Sequence, residues 1–236
     1  MEEGFQFKQF YVSHLQSTMK VGTDATLLGA WAEPRDATQI LDIGTGCGVI
    51  ALMLAQKSAA QICGIDIDVD STLEAAANFA ASPWRNRLTA KYASLQKYVS
   101  ENGRLKYDLI ISNPPFFTSS LKNQSQPKAL ARHNDSLPFD ELISLSKEIL
   151  LPQGRFYLII PATEEKNIIR LATKNDLSIA KICRISAKTN RKPNRIMFCL
   201  VNGDQQFEES SLVIRKFSNK HSAEYNDLLK DYLLNI

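Results

Sequence analysis

The tetrapeptide Asn113-Pro114-Pro115-Phe116 combines residue types that could activate an amino group for attack on an electrophile. An exocyclic amino group is a poor nucleophile because its lone pair is delocalised into the adjoining ring. The side-chain oxygen of Asn113 and the carbonyl oxygen of Pro114 could accept its two hydrogens, and the prolines restrict the backbone that carries both acceptors. Phe116 could stack on a planar substrate, a contact worth about 1–3 kcal/mol for a nucleobase. The tetrapeptide therefore predicts catalysis by positioning, without a dedicated general base.

A glycine-rich turn earlier in the chain has the residues of a nucleoside-binding site. Gly44, Gly46 and Gly48 let the backbone approach a ligand closely, and the helix that follows offers free N–H groups. Asp66 ends the next predicted strand, where a carboxylate can accept hydrogen bonds from ribose hydroxyls. A dinucleotide fingerprint needs glycine where this chain has Val49, so the spacing disfavours NAD. NAD binding and a turn that only joins a strand to a helix are the alternatives.

The elements that must position these residues alternate between strand and helix as far as about residue 175. Apolar runs followed by turns predict the strands, and spacing of three to four residues predicts the helices. The predicted strands cover residues 39–43, 62–65, 88–93, 107–112 and 155–160, and the predicted helices cover 48–57, 71–81, 138–150 and 163–175. This order indicates a doubly wound, mostly parallel α/β sheet whose ligands bind at the carboxyl ends of the strands. Two further strands, 178–187 and 195–201, would form a terminal antiparallel hairpin.

The composition is that of one globular domain, residues 1–236. Of the 236 residues, 44% are hydrophobic and 22% are charged, which excludes a disordered or fibrous chain. The longest apolar run, 49–55, is too short to cross a bilayer, and the first residues form no signal region, so a cytoplasmic location is expected. The four cysteines form no C-x-x-C pair, and the three histidines lack ligand spacing, so we expect reduced thiols and no metal site. No oligomer is predicted.

Positive charge is concentrated late in the chain. Residues 181–200 include six basic residues and no acidic one. Four of the six lie in the link between the last two predicted strands or directly after it, which places them at one end of the sheet: Lys188, Arg191, Lys192 and Arg195. Clustered cations attract phosphates, so we predict that this link binds them, with a solvated loop as the alternative.

These motifs resemble known families. The G-x-G-x-G turn preceded by Asp42 resembles motif I of S-adenosylmethionine-dependent methyltransferases. Asn-Pro-Pro-Phe resembles the (Asp/Asn)-Pro-Pro-(Tyr/Phe) motif of enzymes that methylate adenine N6, guanine N2 or a glutamine amide. Over essentially the whole chain, the sequence resembles the bacterial tRNA1(Val) adenine-37 N6-methyltransferase family. The segments that carry this last resemblance are 5–10, 19–32, 112–117, 131–133 and 223–234.

The resemblance implies a Rossmann-like methyltransferase sheet of about seven strands, with an N-terminal extension (about 1–35) and a C-terminal helix (about 222–234). It implies S-adenosyl-L-methionine as cofactor, the anticodon stem-loop of a tRNA as partner, and N6 of adenosine 37 as methyl acceptor. Residues 113–116 would hold the base. At matching positions, the cofactor residues would be Gly22, Thr23, Asp24, Asp42, Gly44, Thr45, Gly46, Gly48, Asp66, Ile67, Ser94 and Asn113. Ser94 stands where many relatives have an acidic residue for the adenine amino group.

Further RNA contacts are predicted at Lys8 and Phe10, for which packing on the domain is the alternative, and at Arg132 and His133, for which a loop role is the alternative. Several functions compete with tRNA methylation. A glutamine N5-methyltransferase acting on a protein, or an amino methyltransferase acting on ribosomal RNA or DNA, would use the same tetrapeptide. A non-catalytic RNA module that binds the cofactor is a further alternative, although such a module would not need the amide acceptors.

Overall fold

The computed structural model of the chain describes residues 3–115 and 137–235. The strands are β1 (Gly4–Gln6), β2 (Tyr11–Ser13), β3 (Gln39–Ile43), β4 (Gln61–Asp66), β5 (Leu88–Tyr92), β6 (Tyr107–Ser112), β7 (Leu150–Pro161), β8 (Ser178–Lys188), β9 (Arg195–Val201) and β10 (Glu208–Arg215). The helices are α1 (Thr23–Trp31), α2 (Val49–Gln56), α3 (Val69–Ala81), α4 (Leu95–Asn102), α5 (Phe139–Ile149), α6 (Glu165–Lys174) and α7 (Ala223–Leu229).

The central sheet has the order β10-β8-β9-β7-β6-β3-β4-β5, and β1 pairs with β2 in a separate antiparallel ribbon. β9 runs antiparallel to both its neighbours, β7 and β8, whereas the other pairings in the sheet are parallel. The mostly parallel, doubly wound sheet is therefore confirmed, as is the antiparallel pairing of the last two predicted strands.

The expected number of strands was about seven, but the sheet contains eight. The β8–β9 hairpin is not its last element. β10 follows the hairpin and pairs in parallel with β8 at the edge of the sheet. The first four residues of β10 are exposed and polar, and only Leu212 in it is buried. An edge strand with one buried side chain lacks the apolar pattern by which strands are found in a sequence.

The two faces of the sheet bury separate apolar clusters, and β7 supplies both. Tyr157 and Ile159 pack into the cluster formed with α1, α2, α3 and α7, while Phe156, Leu158 and Ile160 pack into the cluster formed with α4, α5 and α6. Successive side chains of a strand point to opposite faces, so a strand covered on both sides is apolar at every position. Because their side chains are apolar on both faces, the central strands could be predicted from the sequence.

The first residues of the chain pack onto the domain. The rings of Phe7 and Phe10 are stacked with centroids 4.5 Å apart, and the Phe10 ring meets Trp84 edge-on at 5.6 Å. Phe10 is only 4% exposed, so the prediction that it stacks on RNA is wrong and the packing alternative holds. Lys8 donates to the carbonyl of Lys230 near the far end of α2, away from the glycine turn, so the structure does not bring it to the predicted site.

Across the described ranges, none of the helices is both long and apolar enough to cross a membrane. Within the same ranges, no group of histidine, cysteine, aspartate or glutamate side chains is arranged to hold a metal ion.

Candidate active site

The predicted site residues of four neighbouring strands meet at one edge of the sheet. Ile43 at the end of β3 is in register with Ile65 on β4 and with Ser112 at the end of β6. The Ser112 hydroxyl donates to the Ile43 carbonyl at 2.9 Å, and the amide of Ala93, just after β5, donates to the Asp66 carbonyl at 2.9 Å. β3 and β6 are adjacent strands where the sheet order reverses, which is where open α/β sheets bind ligands.

The three glycines of the turn have left-handed backbone angles, with φ values of +71° at Gly44, +54° at Gly46 and +85° at Gly48. A Cβ atom at Gly44 or Gly46 would meet nothing within 4 Å, whereas one at Gly48 would lie 2.5 Å from the ring of Phe79. Gly48 therefore lets α2 pack against α3. Gly44 and Gly46 leave open space on the other side of the turn, where a ligand can approach the backbone.

Asp42 holds the turn from inside the protein. Its side chain is fully buried, and its Oδ2 accepts a hydrogen bond of 2.7 Å from the hydroxyl of Thr45. Burial raises the pKa of Asp42 to about 7, although the Thr45 hydroxyl acts in the opposite direction. Both side chains are buried and support the shape of the turn, and Asp42 Oδ1 has no hydrogen-bond partner among the described residues, so direct contact of either residue with the cofactor stays a prediction.

Asp66 lies between the turn and α3. Its two carboxylate oxygens accept hydrogen bonds from the amides of Gly46, at 2.8 Å, and Asp68, at 2.9 Å. Burial raises its pKa, and the amide hydrogen bonds oppose this effect. A carboxylate oxygen can accept more than one hydrogen bond, so Asp66 keeps acceptor capacity for a ligand. The neighbouring Ile67 is 47% exposed and offers an apolar surface beside the carboxylate.

Ser94 begins α4 after β5, at the same edge of the sheet. Its hydroxyl oxygen accepts the amide of Lys97 at 3.2 Å and caps the helix. The side chain is partly exposed, so its O–H can donate or its second lone pair can accept. Its predicted contact with an adenine amino group stays a prediction.

Asn113 and Pro114 follow β6 directly. The Asn113 Oδ1 atom is inaccessible to solvent and has no hydrogen-bond partner among the described residues. Pro114 is buried and Pro115 is exposed. Buried polar atoms are nearly always paired, so this acceptor at a ligand-binding edge is available to a donor from outside the described residues. Phe116, Arg132 and His133, which we predicted to act here, lie outside the described residues.

The first turn of α1 reaches the same edge. Gly22 and Thr23 are exposed, and the Gly22 carbonyl accepts the amide of Thr26 at 3.1 Å. Asp24 Oδ2 accepts a hydrogen bond of 2.7 Å from Nε of Arg195, the first residue of β9. Because β9 is antiparallel, its first residue stands beside the carboxyl ends of the other strands.

The polar side of α3 was not predicted as part of the site. There, the Glu74 carboxylate accepts hydrogen bonds from loop 13–17. Glu74 is 6% exposed, and its Oε1 accepts the amide of Leu15 at 2.7 Å and the hydroxyl of Ser13 at 2.8 Å. Its Oε2 accepts the amide of Ser17 at 2.8 Å. Burial alone would raise the pKa of Glu74, but the hydrogen bonds from Ser17 and Ser13 outweigh burial and lower it.

Asn78 lies one turn further along α3 and connects that loop to the glycine turn. It accepts the Ser13 amide at 2.9 Å and donates to the Ser13 carbonyl at 2.9 Å and to the Cys47 carbonyl at 2.8 Å. A glutamate and an asparagine four residues apart in an alanine-rich helix share one face, and this spacing was the available sequence signal.

The six cations of residues 181–200 divide into two groups. Lys181 pairs with Glu33 at 2.8 Å and Glu208 at 3.1 Å, and Arg184 pairs with Glu165 and Glu209. Arg195 pairs with Asp24, so part of its hydrogen-bonding capacity is used within the fold, and its predicted contact with phosphate stays a prediction. The remaining three, which are exposed and form no ion pair with a described residue, are Lys188, Arg191 and Lys192.

The chain has the fold of several solved structures that are named as methyltransferases. The chain matches a predicted O-methyltransferase from Agrobacterium tumefaciens with a TM-score of 0.70 and 18% identity, covering 91% of this chain and 100% of that one. It matches a 16S rRNA N2 G1207 methyltransferase from T. thermophilus with a TM-score of 0.57 and 18% identity, covering 84% of this chain and 50% of that one. The family model described as Methyltransferase small domain matches residues 15–173. The fold and the edge site thus define a methyltransferase domain.

Relatives at higher identity narrow the family. The tRNA1(Val) (adenine(37)-N6)-methyltransferase of Parabacteroides distasonis is 40% identical over 231 residues, which cover 98% of this chain and 97% of the relative. The protein of the same name from Pseudoalteromonas translucida is 40% identical over 232 residues, which cover 98% of each chain. The chain belongs to the tRNA1(Val) (adenine(37)-N6)-methyltransferase family.

Proposed function

We propose that the protein transfers a methyl group from S-adenosylmethionine to N6 of adenosine 37 in tRNA1(Val), within the cytoplasm. The observation that carries this proposal is the buried Oδ1 of Asn113 next to the glycine turn, which has no hydrogen-bond partner in the part of the chain that the structure describes. A protein that only binds the cofactor does not need a hydrogen-bond acceptor at this position. An enzyme that binds and methylates an amino group needs one.

The residues of the edge fit the cofactor. Gly44 and Gly46 leave the space that a ligand needs near the backbone, and Asp66 has acceptor capacity for ribose hydroxyls. The exposed side chain of Ile67 provides apolar surface for an adenine ring, and Ser94 supplies a hydroxyl nearby. When bound, S-adenosylmethionine supplies a methyl group on a positively charged sulfur and leaves as a neutral thioether.

The protein's own contribution to the reaction is to bind and orient the amino group. Asn113 Oδ1 and the Pro114 carbonyl accept its two hydrogens, which turns the nitrogen lone pair out of conjugation with the ring. The acceptor is buried, so water does not compete for it. The methylated nitrogen is cationic at first and releases its proton to solvent, so no side chain has to act as a base. Positioned polar groups of this kind typically contribute about 10²–10³ to the rate.

The RNA is held in part by the exposed cations of link 188–195. Lys188 ends β8 at the same edge of the sheet as Asn113, and Arg191 and Lys192 follow it. They neutralise phosphates, which gives affinity for any RNA of suitable shape without reading its sequence.

The test is methylation of a defined RNA by the purified protein. An unmodified tRNA1(Val) transcript and isotopically labelled S-adenosylmethionine are incubated with the protein, and the nucleosides are identified by mass spectrometry. We expect one N6-methyladenosine per transcript, located at position 37, and none in a matched transcript with guanosine at that position. Methylation at another nucleotide, or of a protein glutamine instead of the transcript, would overturn the proposal.

A further inference from the structure

A second positively charged element lies beside link 188–195 and carries an exposed aromatic ring. Turn 215–221 follows β10 and presents Phe217, whose side chain is 77% exposed, between Arg215, Lys216 and Lys220. We infer that this turn binds the RNA substrate, with the Phe217 ring stacked on an unpaired nucleobase and the three cations near phosphates. This inference rests on the proposed function.

Hydrogen bonds close the turn and place Phe217 at its tip. The Lys216 amide donates to the Lys220 carbonyl at 2.8 Å, and the Asn219 amide donates back to the Lys216 carbonyl at 3.0 Å. Arg215 Nη1 donates to the Asn219 carbonyl at 2.8 Å, and Arg215 forms a β-bridge with His221. Because the backbone of the turn is already constrained, stacking on a base costs mainly the rotational freedom of the Phe217 side chain.

The turn and the link form one surface. The Thr189 amide in the link donates to the Arg215 carbonyl at 3.1 Å, and Arg215 is in register with Lys188 across the β10–β8 pair. Besides Arg195, which pairs with Asp24, they present six cations that form no ion pair with a carboxylate among the described residues; these are Lys188, Arg191, Lys192, Arg215, Lys216 and Lys220. Basic side chains interleaved with an aromatic ring are the combination that binds single-stranded RNA.

The surface faces the side of the molecule on which the amino group is bound. β6, β7, β8 and β10 all end at this edge, and β10 is four strands from β6. At a spacing of about 4.8 Å between strands, the end of β10 is about 19 Å from the end of β6. One RNA hairpin could reach both, with the target base at Asn113 and another unpaired base at Phe217.

The opposite end of β10 has the reverse charge and provides a matched control. Phe207 precedes the strand and is 51% exposed, but it is followed by Glu208 and Glu209. These two acids pair with Lys181 and Arg184, so the nearest cations among the described residues are already neutralised, and this edge of the sheet lies opposite the target site.

The experiment measures binding of an unmodified tRNA1(Val) transcript by fluorescence anisotropy with S-adenosylhomocysteine present. Phe217→Ala and Phe217→Leu should each weaken binding about 5- to 150-fold, since stacking contributes on this scale. Phe217→Trp should retain the affinity, and Phe207→Ala should leave it unchanged. Because both phenylalanines are exposed, all four variants should melt at the temperature of the unchanged protein.

The outcomes separate the inference from the proposed function. If Phe217→Ala binds the transcript as tightly as the unchanged protein while adenosine 37 is still methylated, the turn is not an RNA-binding element and the proposed function stands. If Phe217→Leu retains full affinity while Phe217→Ala loses it, the contact is apolar and stacking is wrong. An unchanged protein that neither binds nor methylates the transcript overturns both.

Discussion

The guanidinium Nε of Arg195 lies 2.7 Å from Oδ2 of Asp24, although the two residues are 171 positions apart in the chain. The pair joins the start of β9 to the first turn of α1, and both side chains are about one third exposed, at 31% and 28%. A negative charge in the first turn of a helix is also stabilised by the helix dipole. The pair therefore fixes the N-terminus of α1 beside the site, and Arg195 is committed to the fold.

We expect a coupling energy of about 0.5–2 kcal/mol between Arg195 and Asp24, between that of an exposed ion pair and that of a buried charged hydrogen bond. A double-mutant cycle on the free energy of unfolding, with Arg195→Ala, Asp24→Ala and the double variant, measures it. Because the cycle compares each substitution in the presence and absence of the other, it separates the Arg195–Asp24 coupling energy from the other interactions of Arg195. Additive single effects would show that the pair does not hold α1.

Exposed cations at the two edges of the sheet should differ in their effect on RNA binding. Each phosphate contact contributes about −0.7 to −0.9 to the slope of log affinity against log salt concentration, so Arg191→Ala/Lys192→Ala should flatten the slope by about 1.4–1.8. S-adenosylmethionine affinity should not change. A matched control is Arg104→Ala/Lys106→Ala, which removes the same two residue types from the exposed segment before β6, at the other edge of the sheet. Equal flattening in both double variants, or none in either, would contradict the prediction.

The sequence predicted the parts of the fold that depend on local patterns. β3 and β6 are rich in apolar residues because both faces of the sheet are covered, and each is followed by residues that do not continue a strand. Since the ends of parallel strands meet at one edge, the positions of Gly44, Asp66 and Asn113 in the sequence were enough to bring them together. α4 was missed although its signals were present: Ser94 as a cap, and Tyr98 and Val99 at helical spacing after it.

Other features depend on contacts between distant parts of the chain. Lys181 is neutralised by Glu33 and Glu208, which lie elsewhere in the chain. A segment that lacks acidic residues in the sequence can therefore still have its cations paired in the fold. From the sequence, Glu74 is expected to be an exposed helical residue. It is buried in the structure because loop 13–17 covers it. α1 was not recognised because its consecutive residues 25–29 are buried, which removes the periodicity of a surface helix.

Replacing the acid at the end of β4 should impair cofactor binding. Asp66→Ala removes an acceptor for the ribose hydroxyls and also the partner of the Gly46 amide, so binding should weaken by about 1.5–3 kcal/mol, the value of a charge-assisted hydrogen bond. Calorimetry with S-adenosylmethionine measures this change. Asp70→Ala is a matched control, because Asp70 lies in the first turn of α3 and forms no hydrogen bond to the glycine turn among the described residues. Equal affinities of Asp66→Ala and the unchanged protein would contradict the ribose contact.

Glu74 should contribute stability that depends on pH. Its pKa in the folded protein is lowered from the usual 4.5, so its contribution is fully present above pH 4.5 and is lost as the pH falls through the lower, folded-state value. Glu74→Gln removes the charge and turns an N–H₂ group toward amides that need an acceptor, which should cost about 1.5–3 kcal/mol at pH 7.

Urea unfolding at a series of pH values tests this prediction. The difference in unfolding free energy between the unchanged protein and Glu74→Gln should shrink below pH 4.5. A difference that does not vary with pH would mean that the charge of Glu74 is irrelevant to its hold on loop 13–17.

The buried oxygen of Asn113 should matter for methyl transfer and much less for cofactor affinity. Asn113→Ala removes the acceptor for one amino hydrogen, so kcat for methylation of the tRNA transcript should fall about 10²–10³-fold. Asn113→Asp keeps an acceptor oxygen in place and should lose less. Because Oδ1 has no partner among the described residues, its removal breaks no hydrogen bond of theirs, and the melting temperature of Asn113→Ala should stay close to that of the unchanged protein.

Single-turnover methylation with saturating cofactor isolates the chemical step from binding. If Asn113→Ala transferred methyl at the unchanged rate, the amino group would have to be oriented by other residues. If the alanine variant lost S-adenosylmethionine affinity as strongly as it lost rate, Asn113 would be a cofactor ligand and not the acceptor for the amino group.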